Sequence, residues 1–157
     1  MSLIVAMLML VIIGLTSAAV MRNATSADRA INNNRLRTQA NQYAQIALRF
    51  CERQLTLGGA RVINVPVAPP EPPAWTVKAN WFDPSPSALR YTLAPSNFSG
   101  GVRPVVPPQC MAEPMSAALP HVFTVTARGF SDDFTQDDRS QATLTGSVVW
   151  LQSTVFL

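Results

Sequence analysis

Residues 1–21 (MSLIVAMLMLVIIGLTSAAVM) form one apolar run with no charged side chain before Arg22. About 30 Å of hydrocarbon needs roughly 20 such residues in a helix, so the run predicts a membrane span. The pattern then changes period instead of stopping. Leu36, Ala40, Tyr43, Ala47 and Phe50 recur at steps of four and three, the spacing of one helix face. Arg37, Asn41, Gln45, Arg49 and Arg53 recur on the opposite face, and Cys51 lies beside the apolar stripe. No proline precedes Pro66, and Gly58-Gly59 supplies a left-handed stop. Gly14 is a soft spot, with Thr16 and Ser17 near it. The pattern predicts one helix of about 55 residues, or roughly 80 Å. Its first half (1–22) spans a membrane or a filament core, and its second half (23–57) is amphipathic.

All thirteen prolines lie between Pro66 and Pro120. The stretch VPVAPPEPP (65–73) reads as extended or polyproline-like. Residues 58–120 are therefore expected to be a variable, mostly irregular region, with short strands at 61–65 and 89–93. Trp75, Trp81, Phe82 and Tyr91 sit among these prolines and predict a loop packed by its own aromatic rings. From His121 the period becomes two. HVFTVTARGF (121–130) and QATLTGSVVWLQSTVFL (141–157) read as the strands of a hairpin, joined by the polar turn SDDFTQDDRS. The fold class is α+β: a long N-terminal α-helix, transmembrane then amphipathic, packed against an antiparallel β-sheet in 121–157.

Composition changes this picture little. At 157 residues the chain holds one domain plus an anchor. A net charge of +3 and a pI near 9.4 are too weakly basic to point to nucleic acid. Cys51 and Cys110 pair in an oxidising compartment and stay as two buried thiols in a reducing one. A bridge would close a loop of about 60 residues, worth roughly 4 kcal/mol in the chain-entropy account. Arg22, Arg29, Arg35 and Arg37 follow the apolar run, which by charge alone would put that side in the cytoplasm. A basic leader cleaved before Met1 removes the conflict with an exported, bridged domain. A secretory signal ending at Ser17-Ala18-Ala19 is the rival, but its positive n-region is missing and the apolar stretch is long for one.

Three passages resemble type IV pilins, in particular PilX-type minor pilins. MSLIVAMLMLVIIGL is similar to a mature pilin N-terminus after leader removal behind a glycine. QYAQIALR (42–49) is similar to the second half of the pilin stalk, and VTARG (125–129) with WLQS (150–153) resembles the C-terminal hairpin. The resemblance implies a pilin-like fold, a methylated N-terminus and a role in pilus assembly, adhesion or motility. Its implied sites are the Cys51–Cys110 disulfide and an assembly surface at Met1, Ser2, Leu3, Val5 and Gly14. The implied partners are other pilins, major and minor, through the N-terminal helix, and a tip adhesin, with the inner membrane as host before assembly. The implied location is a single-pass inner-membrane protein with a periplasmic domain, on a cell-surface pilus once assembled. One departure matters. The family's usual glutamate at the fifth position is Val5 here. A neighbour's amine buried in the filament core would find no carboxylate, and a lone buried charge is costly, so Val5 implies a filament-tip, assembly-priming subunit.

Other chemistry is thin. His121 has no Ser or Cys partner in any motif, Gly100-Gly101 is an isolated turn, and no residues support an enzyme or a cofactor. Asp132, Asp133, Asp137 and Asp138 make a solvated turn that offers itself to a protein partner or calcium but lacks the EF-hand spacing, so no metal site is assigned. The helix arginines lack interleaved aromatics and give only a weak nucleic-acid signal. Leu48, on the polar face, is expected to be a subunit contact. The alternatives to a pilin are a type II secretion pseudopilin and a single-span periplasmic binding or sensor protein.

Overall fold

In the computed structural model, which describes residues 2–98, 103–137 and 140–157, the chain divides into two compact units, Met1–Arg35 and Leu36–Leu157. Met1, Asp138 and the Gly100-Gly101 turn lie outside the described residues, as does the side chain of Ser2. Helix α1, Ser2–Thr56, is the predicted 55-residue helix.

The expected membrane span is overturned. Among the described residues, no helix is long and apolar enough to cross a membrane. Residues 3–13 are apolar throughout but cover only about 16 Å at 1.5 Å per residue, against roughly 30 Å of hydrocarbon. Gly14, Thr16 and Ser17 then interrupt the run, and Ser17 Oγ donates to the Ile13 carbonyl at 2.8 Å. With the span goes the single-pass inner-membrane location that rested on it. The transmembrane part of the fold-class reading falls with them.

The second unit is built on a four-stranded antiparallel sheet. Its strands are β1 (Tyr91–Thr92), β2 (Gln109–Ser116), β3 (Leu119–Phe130) and β6 (Val148–Phe156), in the order β1-β2-β3-β6. The predicted hairpin is present as β3 and β6, paired from Val122↔Phe156 to Phe130↔Val148. Its connection is more than a solvated turn, because β4 (Thr135–Gln136) and β5 (Thr143–Thr145) form a small sheet within it. Strand β2 lies inside the region expected to be irregular, and residues 61–65 form no strand. Pro114 is accommodated in β2 where the register with β3 shifts between Pro114 and Ser116, since a proline cannot donate to the ladder.

Alternation along the strands sorts two cores. On one face, Cys110, Ala112, Val125 and Ala127 meet Ala47, Phe50, Cys51 and Leu55 of α1. On the other, Met111 packs with Ala74 and Trp81 of the proline-rich segment. The helix comes unusually close to β3 at Gly129. A Cβ there would lie 2.2 Å from the Ala44 nitrogen and 2.3 Å from the Ala40 oxygen. Ala40 and Ala44 are fully buried, so small residues on both elements permit the approach. Leu48 is a correction: it is half-buried against the first core, and Ile46 is the exposed aliphatic of that stretch. The helix stops as expected, with Gly58 at φ 55° just beyond its end.

Candidate functional site

The sheet face turned away from α1 carries a row of side chains set by strand register. Gln109 of β2 is opposite Arg128 of β3, which is opposite Trp150 of β6. Phe130 lies two residues along β3 and so faces the same side. The proline-rich segment closes over this row through two short 3-10 turns, Ala74–Thr76 and Lys78–Trp81. Trp81 is held by its indole N–H donating to the Trp75 carbonyl at 2.9 Å and is 2% exposed. It meets Trp150 edge-on, with ring centroids 4.8 Å apart.

Arg128 sits at the centre of these rings. Its guanidinium carbon lies 4.8 Å from the Phe82 ring centroid, 4.9 Å from Trp81, 5.3 Å from Phe130 and 5.4 Å from Trp150. Contacts of this kind contribute from about 0.5 to 2 kcal/mol, more as they are desolvated. Nε donates to Gln109 Oε1 at 2.7 Å and Nη2 to the Trp81 carbonyl at 2.9 Å. The residue is 6% exposed. Burial, and secondly the charge of Arg90, push its pKa down to about 10, so it remains cationic at neutral pH. The rings and Arg128 line a cavity of about 480 Å³, which Trp75, Thr76, Lys78, Gln136, Gln141 and Thr143 help to enclose.

The sequence-predicted residues are placed as follows. Cys51 and Cys110 form a disulfide that ties α1 to β2 across 59 positions, with both residues fully buried. Leu3 and Val5 are 73% and 53% exposed on α1, and Gly14 has open space around it. The acidic side chains are engaged by the protein itself, Asp132 by α1 and Asp133 and Asp137 within their own loop. Asp132 accepts from Gln39 Nε2 at 2.6 Å and Asp133 from the Ser131 hydroxyl at 2.6 Å, while the backbone N–H of Ser140 meets Asp137 Oδ1 at 3.4 Å. Among the described residues no group of three or more potential ligands is placed to hold a metal ion. His121 is exposed at the start of β3, where its carbonyl accepts from the Leu157 amide.

The Arg128 cavity was not anticipated. Its aromatics stand out in the sequence, but their convergence on Arg128 depends on the register of three strands and a segment folded back from 74–82. One residue outside the cavity shares its buried character. Glu113, 5% exposed, accepts from the Ala74 amide at 2.7 Å, and burial raises its pKa above the ordinary 4.5. No protein-family model, curated protein or solved structure matches this chain.

Proposed function

We propose that this chain is a structural, non-enzymatic subunit of a type IV pilin-like filament, a minor pilin that helps to start assembly. The observation that carries this reading is the apolar surface of the first stretch of α1. Residues 3–5 and 7–13 are large aliphatics or methionines, each 53–73% exposed. A helix that is apolar all round belongs in an apolar interior, and a contiguous patch of this kind marks an interaction surface. Like helices of neighbouring subunits provide such an interior, close-packed by van der Waals contact. The resemblance of this stretch, and of the β3–β6 hairpin, to type IV pilins supports the same reading. The partners are then other pilins, major and minor, with a tip adhesin as a further one.

Residues 1–21 contain no acidic side chain. A buried amine from a neighbour would meet no counter-charge there, which favours a place at the end of a filament rather than along it. The test is to shear filaments from the source cells and probe them for this chain. Wild-type chain is expected in the filament fraction, and a Leu8→Asp, Val11→Asp double variant is expected to be lost from it with the Cys51–Cys110 bridge intact. Absence of the wild-type chain from filaments, or undiminished incorporation of the double variant, overturns the proposal.

A further inference from the structure

We propose that the cavity around Arg128 binds a small organic anion: a carboxylate carried on a flat, largely apolar body, with the carboxylate on the guanidinium and the body against the Trp150 ring. Four observations lead there. First, the cavity holds a buried cation without a counter-charge. Arg128 is more than nine-tenths buried, and among the described residues no acidic side chain lines the cavity. A charge taken out of water needs an opposite one or a full set of hydrogen bonds, and Arg128 has neither. Second, one nitrogen of the guanidinium is unused. Nε and Nη2 are engaged by Gln109 and the Trp81 carbonyl, whereas Nη1 donates to no described residue. Every fully buried side-chain nitrogen or oxygen among the described residues has a partner, so Nη1 is not fully buried, and Arg128 lines the cavity. A guanidinium N–H is a cationic donor that makes a short, charge-assisted hydrogen bond to a carboxylate.

Third, the walls select what accompanies the charge. Aromatic rings make up much of the lining, and the volume of about 480 Å³ falls within the roughly 300–1,000 Å³ of small-molecule sites. Fourth, the lining includes polar side chains and a second cation. Lys78 Nζ donates to the Ser140 carbonyl at 2.6 Å, beside Gln136 and Gln141. Gln141 holds a left-handed backbone at φ 57°, with its N–H on the Asp137 carbonyl at 2.7 Å. A non-glycine residue kept in that region marks a local shape that the surroundings enforce. Two cations on one lining, Lys78 and Arg128, favour an anion as occupant.

All three tryptophans of the chain, Trp75, Trp81 and Trp150, border the cavity, so intrinsic fluorescence of the full chain reports occupancy directly. The probes are 3-phenylpropionate, its neutral amide 3-phenylpropionamide, and inorganic sulfate. The expected result is a saturable fluorescence change with the acid, at least tenfold weaker binding of the amide, and no saturable change with sulfate at matched ionic strength. Arg128→Met, which keeps length and removes charge, is expected to bring the acid's affinity down to the amide's. Should that variant fail to fold, the comparison of acid with amide on the native chain decides. Equal affinity for acid and amide, saturation by sulfate as strong as by the acid, or no saturable response to the acid up to millimolar concentration overturns the proposal.

Discussion

A glycine and two alanines decide how closely α1 lies on the sheet. Because a Cβ at position 129 would fall 2.2 Å from backbone of α1, neither element can yield by a side-chain rotation. Gly129→Ala is expected to cost at least about 3 kcal/mol, at or above the top of the usual overpacking range, measured by urea unfolding. A second single-residue effect concerns pH. Burial raises the Glu113 pKa, so the folded chain keeps that proton to higher pH than the unfolded chain does. The native state then binds more protons over the window that opens near 4.5, and stability falls as pH rises through it. Glu113→Gln keeps an acceptor for the Ala74 amide and removes the titration. The variant is expected to lose less stability than the wild type between pH 4 and pH 7, and an unchanged difference would count against the assignment. Neither role is visible in the sequence. Gly129 reads there as one small residue in a strand, and Glu113 as an ordinary surface acid in a proline-rich stretch.

At the scale of elements, periodicity was a good guide wherever one face is buried and the other is not. Of the predicted stripe, Ala40, Tyr43, Ala47 and Phe50 are buried and Leu36 is half-buried, and β3 and β6 pair as the expected hairpin. The signal fails in β2. That strand lies between β1 and β3, with α1 over one face and the Trp81 segment over the other, so residues 110–114 are all buried and no alternation survives. Pro114 deepens the concealment, because a proline argues against a central strand unless a register shift absorbs it. The disulfide then clamps this hidden strand to the helix. Replacing both cysteines by alanine is expected to cost about 2–5 kcal/mol, with dithiothreitol on the native chain giving a comparable loss by the same unfolding assay. A bridge of this kind accords with an oxidising compartment.

At the scale of the whole molecule, the two units answer different questions. The folded unit, Leu36–Leu157, carries the disulfide and the Arg128 cavity, while Met1–Arg35 carries the exposed apolar helix on which the proposed assembly rests. If the chain starts filaments, deleting its gene is expected to reduce filament number, counted by electron microscopy, with filament length and diameter preserved. Restoring the Leu8→Asp, Val11→Asp variant is expected to leave the number low, and restoring Arg128→Met is expected to recover it. By itself the sequence determined the long helix, its stop at the glycines, the buried stripe and the terminal hairpin, because each is a local repeat of apolar positions or a backbone preference. It misjudged the first run as a membrane span, since a count of uncharged residues overlooks how soon Gly14, Thr16 and Ser17 interrupt the large apolar ones. Only the tertiary structure decided the second core, the central place of β2 and the rings around Arg128. Those arise from contacts between residues far apart in the chain, where strand register and a folded-back segment choose the neighbours and local pattern carries no record of the choice.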